Sequence, residues 1–345
     1  MRAPVPIHAA MTPHLPAMPP PNPHPGCGRI AVVGSFMQAQ CWLAPRLPML
    51  GESMAATGFW TAPAGKGLAV AVGCRRLGAA VDLLLAIGDD DAGDALLQRL
   101  DAEGLHANHV RRYAGPSGQG AGWLAADGSN AILAFTGANA CLDARQVARA
   151  DGALAQADVV YAQFEAPVQA AREAFVRARR GGACTVLNPS PWQALDAELL
   201  AHTQVLLLNE AEAQQLLAAQ DKPPPTCDDA QAWSRAAAAF WPTWPGDSRR
   251  RLVLTLAGRG CLALAPEGDW DALPALRVPV HSSIGAGDAF AAGLCTALAE
   301  GRPLHDALRR ATACGAFAVQ QDGILEGLPR ASELAELLSH SEPRV

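Results

Sequence analysis

The chain reads His281-Ser282-Ser283-Ile284-Gly285-Ala286-Gly287-Asp288-Ala289-Phe290 and continues as an Ala-rich segment to Glu300. Small residues thus lead directly into a helix, which the pattern predicts over Ala286–Glu300. The first amide groups of a helix have no partner within it, and the positive end of the helix dipole lies there, so such a turn can bind an anion. Glycine lets a phosphate approach the backbone, and an aspartate at this place can take a proton from an attacking hydroxyl. The segment fits phosphoryl transfer, although Asp288 also suits a plain helix start.

Around this segment, short apolar runs alternate with helical patterns. The apolar runs predict buried strands at Ile30–Val33, Asp82–Ile87, Val159–Gln163, Cys184–Leu187, Val205–Leu208 and Leu252–Leu256. Helices are predicted at Lys66–Leu77, Ala92–Glu103, Gln169–Arg180, Glu210–Ala219, Asp228–Phe240, Ala286–Glu300, Pro303–Gln320 and Ala331–Ser339. Buried strands that alternate with helices predict an α/β fold with a parallel sheet covered on both faces.

Four further segments do not fit this alternation. They show alternation or aromatic residues, and they are Gln38–Leu43, Ser53–Thr61, Gly118–Ala126 and Asn130–Thr136. Asp127-Gly128 between the last two is a hairpin signal. We therefore expect a small separate sheet beside the main one.

Composition narrows the class of protein. The 345 residues carry a formal net charge of -6 without a long basic run, which argues against a nucleic-acid partner. No apolar run is long enough to span a bilayer, and the nine cysteines show no zinc spacing. We expect a cytoplasmic protein with reduced thiols and no membrane partner. Residues 1–28 are rich in proline and are predicted to be a disordered extension or the result of a wrongly chosen start codon. The folded domain is expected over residues 29–340.

The motifs of the chain, in their order, resemble those of the ribokinase-like (phosphofructokinase-B) carbohydrate kinases. Besides Gly285-Ala286-Gly287-Asp288 they are Ala64-Gly65-Lys66-Gly67, Arg76-Leu77-Gly78-Ala79, Gly88-Asp89-Asp90-Asp91-Ala92-Gly93, Gly137-Ala138-Asn139-Ala140, Glu165, Leu187-Asn188-Pro189-Ser190-Pro191, Asn209-Glu210-Ala211-Glu212 and Thr255-Leu256-Ala257-Gly258-Arg259-Gly260. These matches span residues 29–330. The resemblance implies a three-layer α/β/α domain with a mostly parallel sheet and a small β-sheet lid, whose strands come from about 37–62 and 117–137. It also implies an ATP-dependent kinase for a hydroxyl of a sugar or sugar-like molecule, and a homodimer formed through the lid.

The resemblance assigns roles residue by residue. Asp288 is the expected general base, and the backbone of Gly285, Ala286 and Gly287 is the expected anion hole. The expected substrate-binding positions are Met37, Ala39, Gly65, Lys66, Gly67, Glu165 and Ser282. The expected nucleotide-binding positions are Asn209, Glu212, Thr255, Gly258, Gly260 and Thr312. Mg²⁺ is expected to enter with ATP, because the phosphates need charge neutralisation.

Several of these residues have a second interpretation. Asn209 and Glu212 have the spacing of a helix capping box, and both roles are expected together. Lys66 could equally be a solvated lysine, and Glu165 could be a carboxylate in a loop. Thr312 could be a core residue of a helix. The family has glycine where Ala257 stands, so the backbone of that turn is expected to differ slightly.

The departures from ribokinase lie at the sugar site. Met37 and Ala39 stand where ribokinase has an Asn and an Asp, Ala69 replaces an Asn, and Ser282 replaces the Asp that serves the sugar and a monovalent cation. This loss argues against tight ribose recognition and against a complete potassium site, of which backbone carbonyls near Ile284, Ala318 and Gly323 remain. Two roles are possible for the apolar residues nearby. They form an apolar substrate pocket, or their aromatic members belong to the core of the small sheet. The residues are Phe36, Met37, Trp60 and Trp123.

Three alternatives to a sugar kinase follow. The first is a non-catalytic nucleotide- or metabolite-binding protein on the same fold, which the replacements at Ala39, Ala64, Ala69 and Ser282 favour. The second is a nucleoside kinase. The third, an oxidoreductase, is disfavoured because no dinucleotide fingerprint follows the first strand.

Overall fold

The computed structural model describes residues 28–127, 129–225, 230–246 and 248–341. The predicted extension therefore lies outside the described residues as far as residue 27, and so do Gly128 of the predicted hairpin turn and the first two residues of the predicted Asp228–Phe240 helix. Within the described ranges, no helix combines the length and the apolar character that crossing a membrane requires.

The chain folds into thirteen strands, eleven α-helices and three short 3-10 helices over these ranges. The strands are β1 Arg29–Val33, β2 Met37–Ala44, β3 Gly58–Ala64, β4 Ala80–Gly88, β5 Val110–Tyr113, β6 Gly118–Ala125, β7 Asn130–Phe135, β8 Val159–Gln163, β9 Cys184–Asn188, β10 Val205–Asn209, β11 Arg251–Thr255, β12 Cys261–Leu264 and β13 Trp270–Leu273. The helices are α1 Lys66–Arg76, α2 Asp91–Ala102, α3 Ala144–Arg149, α4 Asp151–Gln156, α5 Val168–Gly181, α6 Ala197–Ala201, α7 Glu210–Ala218, α8 Ala230–Ala237, α9 Ala286–Ala299, α10 Leu304–Ala318 and α11 Ala331–Ser341.

Nine strands form the main sheet in the order β13-β12-β11-β10-β9-β8-β1-β4-β5. From β11 to β5 all neighbours are parallel, and only β12 and β13 add antiparallel pairs at one edge. The carboxyl ends of the parallel strands meet at one edge of a sheet, where open α/β sheets bind their ligands. Glu165 and Gly258, in the segments that follow β8 and β11, and Asn209, the last residue of β10, lie at this edge.

The two faces of the main sheet carry separate hydrophobic cores. On β1, Ile30 and Val32 pack on one side, with helices α1, α2, α9, α10 and α11. Ala31 and Val33 pack on the other side, with helices α3 to α8. Apolar side chains on both faces explain why these strands read as continuous apolar runs. The predicted three-layer α/β/α fold with a mostly parallel sheet is confirmed.

The elements that sequence patterns did not predict lie mainly at the edges. Strand β5 at one edge carries exposed arginines, and β12 and β13 at the other edge are only four residues long. The predicted strand Ser53–Thr61 was wrong at its start, since β3 begins at Gly58 and ends at Ala64. The predicted helix of residues 228–240 is described as α8, which ends at Ala237.

The small sheet has four strands in the order β3-β2-β6-β7. Their register divides the side chains between two faces. We call one the inner face, with Met37, Ala39, Cys41, Leu43, Gly58, Trp60, Ala62, Ala64, Gly118, Gly120, Gly122, Leu124, Ile132 and Ala134. The other is the outer face, and its large side chains are Trp42, Phe59, Trp123, Leu133 and Phe135.

The inner face is the one directed at the main domain. Met37, Ala39 and Ala64 are buried there against Ile324, which follows α10. Asn139 fixes the start of β2, because its side-chain amide donates to the Phe36 carbonyl at 2.7 Å and its side-chain oxygen accepts the Phe36 amide at 2.8 Å. The small sheet is thus held beside the carboxyl edge of the main sheet.

Candidate active site

The glycine turn before α9 has the geometry that an anion site needs. Gly285 is the N-cap residue and has φ 79°, a left-handed conformation that glycine adopts without strain. A Cβ atom on Gly287 would meet no described heavy atom within 4 Å, so space lies open beside this backbone. The positive end of the α9 dipole lies at this turn, and the amide of Ala286 makes only a long hydrogen bond of 3.4 Å, to the Ser283 carbonyl oxygen.

Asp288 lies in the first turn of α9 and is partly buried. Burial raises the pKa of its carboxyl to about 6, and the charges of Glu165 and Glu212 act in the same direction, whereas Lys66 lowers it. The attraction is mutual, because the carboxylate of Asp288 is the main cause of the raised pKa of Lys66. The turn therefore holds a carboxylate that takes up a proton near neutral pH, beside a lysine that stays charged.

Glu165 joins the loop after β8 to the start of α1. Its carboxylate accepts the Lys66 amide at 2.8 Å and the Ser35 hydroxyl at 2.6 Å. Gln163 donates to the same hydroxyl at 2.9 Å. A carboxylate at a helix N-terminus is stabilised by the dipole, so Glu165 orients α1 and with it Lys66. Its contact with a substrate remains a proposal.

Gly65 and Gly67 are required by packing. Gly65 has φ 117°, and a Cβ atom there would lie 2.5 Å from the Ser35 carbonyl oxygen. A Cβ atom on Gly67 would lie 2.2 Å from the Cα atom of Gly34. Helix α1 therefore begins in contact with the backbone after β1, which brings Lys66 to the carboxyl edge of the main sheet.

A cleft of about 1330 Å³ connects this turn with the predicted nucleotide residues. Its lining includes Lys66, Gly285, Ala286, Gly287 and Asp288 at one end, together with Asn209, Thr255, Gly258, Gly260 and Thr312. Residues far apart in the chain thus meet in one space.

Asn209 and Glu212 form the predicted capping box at the start of α7. The Asn209 side chain accepts the Glu212 amide at 2.9 Å, and the Glu212 carboxylate accepts the Asn209 amide at 2.9 Å. The structural role predicted for this pair is confirmed. Glu212 is 5% exposed, so any action on a bound metal passes through water or through Asn209.

Gly260 closes the turn after β11, and its conformation has φ 108°. A Cβ atom there would lie 1.9 Å from the Leu273 carbonyl oxygen, so packing requires glycine. Gly258 has open space around it. Thr312 contacts the Cys261 sulfur at 3.3 Å and still reaches the cleft, so both roles considered for it are compatible.

Ala257 in the same turn has φ 50°, the left-handed conformation that the family's glycine would adopt freely. The turn therefore keeps a glycine-like backbone at the cost of strain. We expect Ala257→Gly to raise the free energy of unfolding by about 1 kcal/mol, because left-handed residues other than glycine are strained by this amount. Thermal unfolding of the variant checks this, and a variant less stable than the wild type would contradict it.

Several positions of the expected sugar site are not among the residues that line this cleft. Met37 and Ala39 lie on the inner face of the small sheet, which adjoins the glycine turn through Ile324, whereas Ala69 is fully buried within α1. The Ser282 hydroxyl accepts the Ile284 amide at 3.2 Å within an exposed loop. The remaining carbonyl groups of the expected potassium site lie close together. The oxygens of Ala318 and Gly323 are both within 3.5 Å of the position that a Cβ on Gly327 would take, but the Ala318 oxygen already accepts the Gln321 amide.

The predicted apolar pocket was wrong for two of its four members. Phe36 is 1% exposed and belongs to the core of the main domain. Trp123 stacks on Trp42 on the outer face, with 6.1 Å between the ring centroids. Met37 and Trp60 share the inner face.

Part of the cleft was not predicted. Residues 275–280, between β13 and α9, line one wall, and Phe290, Gly315 and Val319 line another. The wall of residues 275–280 has no motif in the sequence. The spacing of Gly315 and Val319 with Thr312 is that of one face of a helix, which is a signal that sequence reasoning had available.

Comparison with known proteins identifies relatives over most of the chain. Residues 28–331 match the model of the pfkB family carbohydrate kinases. The chain is 30% identical to a ribokinase of Bacillus subtilis over 311 residues, which are 90% of this chain and 99% of that protein. It is 28% identical to a ribokinase of Haemophilus influenzae over 313 residues, again 90% and 99% of the two chains.

A solved structure agrees with these matches. The ribokinase from Cryptococcus neoformans var. grubii, crystallised in complex with ADP, has a TM-score of 0.75 and 27% identity, and the match covers 90% of this chain and 99% of that one. The resemblance predicted from the motifs is thereby confirmed. The chain belongs to the pfkB family of carbohydrate kinases.

Proposed function

We propose that the chain transfers the γ-phosphoryl group of ATP to a hydroxyl of a sugar or sugar-like small molecule, with Asp288 as general base and the backbone of Gly285–Gly287 as anion hole. The cleft carries this proposal, because it joins Asp288 and the open glycine turn to the residues after β10 and β11. The likeness to ribokinases, one of them bound to ADP, supports ATP as donor and a sugar as acceptor.

In this mechanism the carboxylate of Asp288 accepts the proton of the acceptor hydroxyl as its oxygen attacks the γ-phosphorus. The raised pKa of Asp288 makes its carboxylate a better proton acceptor than an ordinary aspartate. The amides of the glycine turn and the charge of Lys66 stabilise the negative charge on the transferring group. Glu165 holds Lys66 in place through the amide of that residue.

Mg²⁺ would neutralise charge on the phosphates of ATP. No group of three His, Cys, Asp or Glu side chains that could hold a metal occurs among the described residues. Mg²⁺ keeps several waters and binds mainly through the phosphates of its substrate. We propose that Asn209, which lines the cleft, and Glu212, which lies behind it, orient the waters bound to Mg²⁺. Since Ser282 replaces the aspartate of the family, a potassium requirement is not part of the proposal.

The test is ADP release from ATP and Mg²⁺ against a panel of pentoses, hexoses, nucleosides and vitamin alcohols. We expect acceptor-dependent ADP release with at least one of them. ATP binding without turnover of any acceptor would contradict the proposal and favour a non-catalytic binding protein. The cytoplasmic location stays a prediction, which the seven unpaired cysteines of the described ranges fit.

We also propose that two copies of the chain associate through the outer face. Its side chains Phe59, Leu133 and Phe135 are exposed, and Trp42 packs on Phe59 with 5.1 Å between the ring centroids. A contiguous exposed apolar surface marks an interaction site. A second copy presents the same surface, which makes a two-fold interface self-complementary.

This association can be tested with two neighbouring residues of β7. Leu133 on the outer face is 68% exposed, and Ile132 on the inner face is 70% exposed. We expect Leu133→Glu to convert the dimer into monomers at micromolar concentration, because the charge would be buried in an apolar interface. Ile132→Glu is the matched control and should leave the dimer intact. Sedimentation velocity measures both, and a monomeric wild-type protein would overturn the proposal.

A further inference from the structure

The inner face of the small sheet adjoins the glycine turn. Ile324 packs against Met37, Ala39 and Ala64 on this face. The same residue lies at the turn, since its carbonyl oxygen is 3.5 Å and its Cα atom 3.7 Å from the position a Cβ on Gly285 would take. Ala64 is also followed directly by Gly65 and Lys66. The inner face is therefore a wall of the space in which the acceptor must lie.

This wall contains a trough with a floor of small residues. Between Met37 at one end and Trp60 at the other, the inner face carries Ala39, Cys41, Ala62, Gly120 and Gly122. A Cβ atom on Gly120 would meet only the Cα atom of Ala39, at 4.0 Å. One on Gly122 would meet only the Cys41 sulfur at 3.4 Å and the Gln40 carbonyl oxygen at 4.0 Å. The space above both glycines is open.

The length of the trough sets the size of what it can hold. Trp60 is four residues from Ala64 along β3, and a strand rises about 3.3 Å per residue, so the trough is about 13 Å long. A free pentose would leave its far half empty. A pentose that carries one ring at the carbon remote from the reacting hydroxyl would extend through it to Trp60.

The chemistry of the trough contrasts with that of the opposite side. Lys66 and Asp288 in the cleft, with Glu165 behind the Lys66 amide, supply polar groups near the reacting hydroxyl. On β2, β3 and β6, all of whose residues are described, the inner face has no charged side chain and no amide. Hydroxyl groups placed there would lose hydrogen bonds to water without replacement, whereas an apolar ring would gain from burial.

We propose that the acceptor is a glycoside whose anomeric carbon carries a flat apolar or aromatic ring, as in a nucleoside or an aryl glycoside. Its hydroxyl lies at Asp288 and its ring lies in the trough against Trp60. The inference rests on the proposed function. The acceptor oxygen bonds to the γ-phosphorus, the bond from that phosphorus to the β–γ bridging oxygen breaks, ADP leaves and Asp288 takes the proton. The ring itself does not react.

A matched pair of ligands tests the trough: methyl riboside and phenyl riboside of the same anomeric configuration. Their dissociation constants are measured by titration calorimetry with a non-hydrolysable ATP analogue present. We expect the phenyl compound to bind about tenfold more tightly, because an aromatic ring is buried against Trp60. Trp60→Ala should remove most of this preference. Trp42→Ala, which removes a tryptophan from the outer face of the same sheet, is the control and should keep it.

Equal or tighter binding of the methyl compound, or a preference that persists in Trp60→Ala, would overturn the inference. If Trp60→Ala does not fold, Gly120→Leu serves instead: it fills the trough from β6, so it should weaken binding of the phenyl compound and leave the methyl compound unchanged. ADP release is measured separately. Turnover without a ring preference would sustain the proposed function and refute the inference. A ring preference in binding without turnover would sustain the inference and refute the proposed function.

Discussion

Replacing Asp288 by asparagine is expected to lower kcat by about a thousandfold or more, because general base catalysis contributes factors of this size. The asparagine has nearly the same shape and cannot accept the hydroxyl proton. The affinity for ATP should change little, since the cleft wall and the amides of the glycine turn remain. The melting temperature at pH 8 should not fall, because burial disfavours the charged carboxylate that the variant removes.

The matched control is Asp306→Asn. Asp306 also stands in the first turn of a helix, α10, but it is exposed and outside the cleft lining. The variant loses the same charge at the same kind of position and should keep wild-type kcat. An Asp288→Asn enzyme with more than about a tenth of the wild-type kcat would refute the role of Asp288 as general base.

The pH profile provides a second test of the same role. The carboxyl must be deprotonated to accept a proton, and its pKa is raised to about 6. The activity of the wild-type enzyme should therefore rise with pH through about 6 and level off above pH 7. An activity that is constant from pH 5 to pH 8 would show that Asp288 does not titrate in the reacting complex.

The second large effect is expected for Gly67→Ala. Its Cβ atom would lie 2.2 Å from the Gly34 Cα atom and 2.7 Å from the Ser35 amide nitrogen. Both are backbone atoms, which cannot rotate away, so α1 must shift. We expect a loss of about 3 kcal/mol or more in the free energy of unfolding, the upper range for overpacked sites. Activity should fall as well, because the shift displaces Lys66.

Gly152→Ala is the control for this substitution. Gly152 lies in α4, and a Cβ atom there would meet no described heavy atom within 4 Å. Alanine should stabilise that helix by up to about 1 kcal/mol. Denaturant unfolding of both variants, with acceptor-dependent ADP release, gives the comparison. If Gly67→Ala unfolds at the same denaturant concentration as Gly152→Ala, the contact between α1 and the backbone after β1 is looser than the structure shows.

The sequence was sufficient for the main sheet because each central strand is buried on both faces. Val159–Gln163 is such a run, and its predicted bounds agree with β8. Edge strands lack this signal: half of β5 consists of arginines in contact with solvent, and no pattern of apolar residues reveals it. The short helices α3 and α4 are also below the length at which a helical period can be recognised.

The candidate site also has features that the sequence predicts and features that it does not. The glycine turn and the capping box are local signals, since one backbone segment carries the whole feature. Which tryptophan lies on the inner face of the small sheet is a question of register instead. Trp60 and Trp123 look alike in the sequence, and only the pairing of Cys41 with Trp60 and of Trp42 with Trp123 assigns them to opposite faces. The cleft wall of residues 275–280 depends on the fold of a loop, for which sequence patterns offer no rule.

The alternation of side chains in the small sheet also constrains how this enzyme can evolve. Residues at even and odd positions of β3 lie on different faces. If the inner face binds the acceptor and the outer face binds a second copy, as we propose, acceptor preference and self-association can change independently by point mutation. A deletion of one residue within β3 would shift its register against β2 and exchange the faces of Phe59 and Trp60. Changes in chain length would therefore alter both properties at once, and we expect lineages that diversify their substrates to keep the length of this strand constant.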